Sequence, residues 1–316
     1  MKIVKSIFFV FVLSTALYAQ ETKKDWTLTP FLNYEYLSFD EQHIHSPGEG
    51  MVFIRGNMTP PLSEERNSLL IAGIFKQYII KENPEDYPNL YHSINLMVDR
   101  KIKRHLILGL STAESDKPYY GGWRSFIGGI GYGYELIRRE NVSLTLGGGI
   151  GFGDFGIKLP NGKDLHVMPL PIVRFNIDTS FMDLSFEYLK NPVLNITLLP
   201  DYRIQLINAF SISKFRDLRD LIFDIRLMYR LFGKESKFGD FAGIGVGVKN
   251  GGLGFSLAEE GKSYEMYYHS VYGMLDLSFL QVQGGYSFNG LEVYDLERKK
   301  DIGDGFFLNI FLAWQF

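Results

Sequence analysis

Cysteine is absent from this chain. That excludes disulfides, thiolate metal sites, a cysteine nucleophile and the lipidated cysteine of a lipoprotein. Beyond the first twenty residues there is also no apolar run of the roughly 20 residues that a membrane-spanning helix needs. Neither sign of charge dominates, with 33 Lys and Arg against 36 Asp and Glu, and no basic cluster points to nucleic acid. No Pro/Ser-rich linker, charge block or shift of composition divides the sequence, so a single domain is expected.

The start of the chain has the secretory pattern. Lys2 and Lys5 are followed by an apolar run from Ile7 to Leu13 and by small residues at Ala16 and Ala19. The run is too short for an anchor and gives way to Gln20-Glu21-Thr22-Lys23-Lys24-Asp25. Residues 1–19 read as a signal peptide cleaved after Ala19, with Ala16 as the alternative, and residues 20–316 as the exported domain. Removing the two lysines leaves a net charge of about −5.

What fills the exported part is alternation. Leu221, Phe223, Ile225, Leu227, Tyr229 and Leu231 interleave with Asp220, Asp224, Arg226 and Arg230, which gives one greasy and one charged face at period two. Ile94, Leu96 and Val98 alternate with Asn95 and Asp99, and Met182, Leu184, Phe186 and Tyr188 with Asp183, Ser185 and Glu187. Most such segments run nine to thirteen residues. Strands of soluble sandwiches average about 5–6 residues, whereas strands that cross a bilayer need about 9–11. Tyr and Phe recur near segment ends, as in the aromatic girdles of membrane barrels. With no spanning helix, residence in lipid requires closed β-structure, because every backbone polar group must be satisfied internally.

Sixteen segments fit: 26–38, 51–58, 68–81, 91–102, 105–115, 123–136, 142–154, 165–177, 180–189, 202–213, 220–232, 239–249, 252–258, 264–274, 279–289 and 305–316. The second and thirteenth are weak, and counts of fourteen or twelve stay open. Tight turns are expected at 103–104, 137–141, 178–179, 250–251 and 275–278, and longer loops at 39–50, 82–90, 155–164, 190–201 and 290–304. Asn250-Gly251 is the strongest hairpin dipeptide, since a type I′ turn needs positive φ at both central residues. Val173–Phe181 aligns with Val271–Phe279 at an offset of 98 residues, so both should form one kind of turn. Asp178 and Asp276, and more weakly Ser180 and Ser278, would accept local backbone hydrogen bonds there.

The last segment carries Phe306, Leu308, Ile310, Leu312, Trp314 and Phe316 on one parity and Asn309 and Gln315 on the other. In this terminal strand the sequence resembles the bacterial outer-membrane β-barrel superfamily. The resemblance implies an antiparallel up-and-down transmembrane β-barrel of all-β class, a periplasmic N-terminus, closure of the last strand on the first, and Ile310, Leu312, Trp314 and Phe316 as the signal read by the barrel-assembly machinery. The glycine usual a few residues upstream is absent at Ile310 and Phe311.

Lipid-facing positions must be apolar, so the polar parity of each strand belongs to the lumen. Gly129, Gly131, Gly133, Gly147, Gly149, Gly151, Gly153, Gly243, Gly245 and Gly247 should all face inward, where they permit curvature and leave room for bulky residues opposite. They lie inside strands and open no helix, which argues against a nucleotide-binding loop. Arg174, Asp183, Glu187, Arg203, Asp224, Arg226 and Arg230 should form an inner-wall charge cluster. It is either a salt-bridge network that stiffens or fills the barrel or a charged constriction that sets solute preference. Residues 39–50, with His43 and His45, are the best candidate for a folded-in loop. His-x-His alone is an incomplete metal site, and a solvated loop tip is the simpler reading.

A barrel of 16–18 strands leaves an aqueous channel, so a porin-like channel or transport protein for small solutes is the leading expectation. The alternative is a structural or surface-interaction barrel with an occluded lumen. A lipid-hydrolysing barrel is least favoured: His92-Ser93 and His269-Ser270 are adjacent and so point to opposite faces, although a cross-strand pairing with His105, His166 or His269 stays open. No cofactor is expected. The expected partners are outer-membrane lipid, the barrel-assembly machinery and small solutes or ions.

Overall fold

A computed structural model describes residues 26–40, 43–57, 68–81, 84, 86–117, 126–153, 155, 160, 162–163, 165–189, 191–212, 221–232, 242–259, 261–277 and 279–313. Its sixteen strands are β1 (Trp26–Phe39), β2 (His43–Asn57), β3 (Ser68–Ile80), β4 (Leu90–Ile102), β5 (His105–Ser115), β6 (Phe126–Arg138), β7 (Val142–Gly153), β8 (Val167–Asp178), β9 (Met182–Tyr188), β10 (Pro192–Leu198), β11 (Ile204–Ile212), β12 (Leu221–Arg230), β13 (Gly243–Ser256), β14 (Ser263–Asp276), β15 (Leu280–Tyr294) and β16 (Arg298–Ala313). Each pairs antiparallel with its sequence neighbours, and β1 pairs with β16 from Phe31↔Ala313 to Phe39↔Gly305, closing the barrel. The signal peptide, Trp314 and Phe316 lie outside the described residues.

The outer wall is apolar where the alternation requires it. Leu96, Val98, Ile107, Ile130, Ile150, Val246, Val271 and Phe306 are all exposed. A soluble protein does not carry such a continuous apolar belt, whereas a barrel in lipid does. Around the end that carries the chain termini, Tyr134, Phe181, Tyr202, Tyr229, Phe232 and Phe279 are exposed on the outside, in the position of an interfacial aromatic girdle.

The expected total of sixteen is right, but two segments exchange places. Asn250-Gly251 makes no turn: β13 runs straight through, and neither residue takes a positive φ. Instead the Asn250 side chain donates to the Leu221 carbonyl (2.5 Å) and accepts from the Phe223 amide (2.6 Å), which extends the β12–β13 ladder beyond its last backbone pair, Asp224↔Lys249. The strand gained is β10, inside the expected loop 190–201. It is only seven residues long and opens on Pro192, the strand position that tolerates a missing N–H.

Two other expected loops are strand. Residues 43–50 belong to β2, where a register shift between His45 and Gly48 takes Pro47 out of the ladder. His43 and His45 are therefore ladder residues rather than a solvated tip. Most of 290–304 continues β15 and β16 around a three-residue turn, Asp295-Leu296-Glu297, whose positive φ falls on Asp295 (56°) and Leu296 (65°). Neither is glycine, so the sequence here lacks the Asn-Gly or Asp-Gly dipeptide that marks most tight hairpins. The predicted twin turns do match: Thr179 N donates to Met182 O at 3.0 Å and Leu277 N to Leu280 O at 2.8 Å, both at the 98-residue offset. In the first, the Thr179 hydroxyl rather than the Asp178 carboxylate takes the local amide, that of Met182.

The cross-section departs from a circle. β6 and β8 approach within 8 Å between Cα atoms although β7 lies between them, so the wall folds sharply there. Glycine makes the corner: a Cβ on Gly147 would stand 2.1 Å from the Tyr132 carbonyl oxygen, and one on Gly149 2.3 Å from that of Ile130. β5 and β13, eight strands apart in either direction, also come within 8 Å. The two walls meet across the interior.

Candidate functional site

The interior is divided into a packed part and a polar part. In the first, inward side chains of β1–β4 and β12–β16 form one buried apolar cluster that includes Leu37, Phe39, Tyr78, Tyr91, Phe255, Tyr264, Met266, Tyr268, Tyr294 and Ile302. Its ring contacts join strands that are not neighbours in the sheet, so they cross the barrel. Tyr91 of β4 stacks on Phe255 of β13 at 4.6 Å, Tyr78 of β3 meets Phe255 edge-on at 5.2 Å, and Phe39 of β1 meets Tyr268 of β14 at 5.8 Å. The one carboxylate at its centre, Glu292, is fully buried, and its two oxygens accept from Tyr264 (2.7 Å) and Tyr294 (2.8 Å). A buried carboxylate without such donors would be costly.

Loops seal this part at the end opposite the termini. Tyr87 donates to Asp295, which also accepts the Ser263 amide at 3.0 Å. Lys262 and Arg298 lie over the Tyr87 ring and face Asp86. Burial, then the hydrogen bond to Asp295, pushes the Tyr87 phenol well above its usual titration range. At the meeting of the β5 and β13 ends, Asp116 accepts the Ala258 amide (2.9 Å) and the Ser115 hydroxyl (2.9 Å).

The second part is lined by β8 to β12. Inward residues of β9, β10 and β11, among them Asp183, Ser185, Glu187, Val193, Asn195, Thr197, Ile207 and Ala209, keep access to solvent; Gln205 is the buried exception. The Glu187 side chain is 43% exposed although it points into the barrel. Asn195 donates to Ser185 at 3.2 Å, and Asn176 to Ser143 at 3.1 Å. Beside them the glycine corner is filled by a small apolar cluster of Leu106, Leu108 and Ile172 with Leu189. Along the arc from β8 to β12, then, most inward side chains keep access to solvent.

Charged groups sit in separate groupings rather than one ring. Arg174 bridges Asp99 (2.5 Å) and Glu187 (2.7 Å), reaching over β5, β6 and β7 to do so. Asp224 accepts from Tyr272 and lies 3.5 Å from the Arg226 guanidinium. Arg230 is buried and donates to the Pro200 carbonyl. Asp183 faces Asp178 across the β8–β9 ladder, apart from Arg174. Arg203 is exposed in the turn before β11, a strand that begins only at Ile204.

Four further interior ionic residues escape the sequence reading. Lys101 pairs with Glu135 at 2.7 Å, and Lys76 with Glu35 at 2.9 Å. Each bond passes over an intervening strand. The signal was present, since each of the four shares the inward parity of its strand, Lys101 beside Asp99 and Glu35 beside Asn33, with Lys76 between apolar positions and Glu135 beside a glycine. On β16, Ile310 and Leu312 share the outward parity of the exposed Phe306.

His92 and Ser93, like His269 and Ser270, point to opposite faces of their strands. His92 packs by Phe75 on the outer side while Ser93 bonds to Glu114 inside. His269 lies by Phe288 outside while Ser270 meets Ser287 inside. His105 contacts the Tyr132 hydroxyl at 2.6 Å, and His166 the Gly153 carbonyl at 3.2 Å.

No family model matches the chain, and no curated protein does. Among solved structures it is similar to Acinetobacter baumannii OccAB3, with 9% identity, a TM-score of 0.40 and coverage of 93% of this chain and 100% of that one. It is also similar to the Pseudomonas aeruginosa outer membrane protein opdK, with 9% identity, a TM-score of 0.39 and coverage of 92% and 99%. A third is Pseudomonas aeruginosa OccK9 (OpdG), with 8% identity, a TM-score of 0.40 and coverage of 93% and 98%.

Proposed function

We propose that this protein is a bacterial outer-membrane channel that passes small polar solutes or ions through a narrow, off-centre passage along β8 to β12. The observation that carries this reading is the contrast between the two halves of one lumen. Glu187 and Asn195 point inward and stay open to solvent, whereas the aromatic side chains opposite exclude it. A barrel of this strand number with an empty interior would be a wide aqueous pore. Packing half the bore with aromatics removes the width and leaves a slot whose wall is charged and amide-bearing.

In this slot the Arg174 bridge to Asp99 and Glu187 is the natural constriction. It holds one guanidinium between two carboxylates, so a passing ion meets fixed charges of both signs within a few ångströms. Catalysis is not part of this reading. The signal peptide and barrel-assembly machinery expected from the sequence agree with export to the outer membrane, and the apolar belt with its lipid.

Single-channel recording of the purified, folded protein in a planar bilayer tests it. Steps much smaller than those of an unobstructed sixteen-strand pore are expected. Electrical silence from protein with the heat-modifiable gel shift of folded barrels would instead support the occluded, structural reading.

A further inference from the structure

Lys249 differs from the other inner-wall cations described above. Lys76, Lys101 and Arg174 each have a carboxylate oxygen within 3 Å. Arg226 lies 3.5 Å from Asp224, and Arg230 is held by the Pro200 carbonyl. Lys249 makes no ion pair among the described residues, and its ammonium rests over the Phe307 ring at 4.1 Å and the Tyr272 ring at 5.4 Å. Two carboxylates face it, Glu35 and Asp224, the latter directly across the β12–β13 ladder. Asp224 is already engaged by the Tyr272 hydroxyl and by Arg226, and Glu35 is engaged by Lys76. Three cations thus face two anions here, and the surplus charge is the lysine's.

Arg226 adds a second cation. Its Nε is buried 3.5 Å from the Asp224 carboxylate, without the geometry of a hydrogen bond. The two residues are neighbours, Arg226 pairing with Gly247, two positions before Lys249 on the same inward parity. Both side chains keep partial access to solvent, at the seam between the aromatic half and the passage. An ammonium has three donors and a guanidinium presents a fork, and together they match an acceptor with several oxygens and negative charge. The aromatic rings hold the ammonium in place without neutralising it.

We propose that Lys249 and Arg226 form a binding site for a small oxyanion on the inner wall at β12–β13. The site rests on the reading of a wet interior, but it is tested by binding rather than by current. Titration of inorganic phosphate into the folded, detergent-solubilised protein should show saturable heat. Lys249→Gln should weaken the affinity at least tenfold. Lys249→Arg, which keeps the charge, should largely restore it, and Lys101→Gln, which removes an ion-paired lysine, should leave it unchanged. Each variant is first checked for the folded gel shift. No phosphate binding to the native protein, or binding that Lys249→Gln leaves intact, overturns the site. Phosphate binding to a barrel that passes no current would overturn the channel and leave the site standing.

Discussion

Arg174 on β8 and Asp99 on β4 are joined by an ion pair of 2.5 Å, although three strands separate them in the sheet. The pair exists only because the wall turns sharply at β7 and brings β8 round to face β4. It ties the glycine corner to the charge arrangement of the passage.

Loss of one partner should show this. Both side chains are less than a quarter exposed, and stranding a buried charge costs about 3 kcal/mol or more. Asp99→Asn should therefore lower the urea midpoint of unfolding in detergent clearly. Glu187→Gln, at a side chain 43% exposed, should cost about 1 kcal/mol or less because water screens it. Equal losses in the two variants would contradict the asymmetry.

The corner itself tests more sharply. Gly149→Val places a Cβ where the Ile130 carbonyl oxygen already stands, 2.3 Å away, and neither group is a flexible side-chain end. Failure to reach the folded, heat-modifiable form is expected. Gly109→Ala on the outer face of β5, where an added Cβ meets nothing within 4 Å, should fold normally.

Asn250 offers a third test. Its amide is the only link between β13 and the Leu221–Phe223 backbone among the described residues, and Asn250→Ala leaves two backbone groups unpaired in lipid-facing wall. A loss of about 1–3 kcal/mol follows for a buried group left unsatisfied. Asn250→Asp retains the acceptor for Phe223 but not the donor to Leu221, and should fall between. Faster amide exchange at Phe223 in Asn250→Ala would locate the damage.

In the packed half, Phe255→Ala removes the ring on which Tyr91 and Tyr78 both rest. Truncating a buried Phe costs about 3–5 kcal/mol, and here it also clears space across the bore. A less stable protein with larger conductance steps is expected. A stability loss with unchanged steps would mean that the aromatic packing does not limit the passage.

How far the sequence disclosed this follows from which rules are local. Alternation at period two, as in Leu221–Leu231, is local, and it located the strands and their inward faces. The terminal strand showed its outward parity for the same reason. Turn chemistry misled in two directions. Asn250-Gly251 looks like a hairpin but spends its amide on β12, whereas Asp295-Leu296-Glu297 makes the true turn without such a dipeptide. The inward glycines were legible as a device for curvature, yet nothing in one strand tells which wall the curvature will bring it against. Hence Arg174 and Glu187 were singled out, Asp99 was placed on its strand's polar face without its partner, and Lys76, Glu135 and Lys249 were not singled out.

The chain has no cysteine of its own, so the divided interior can be probed one position at a time. Asn195→Cys places a thiol on the open wall of β10, and Ser270→Cys places one in the packed half, where Ser270 is 1% exposed. A charged methanethiosulfonate reagent applied during bilayer recording should modify the first and reduce its current, and should leave the second unchanged. Equal reactivity at both positions, or block through Ser270→Cys alone, would contradict a passage confined to the β8–β12 side.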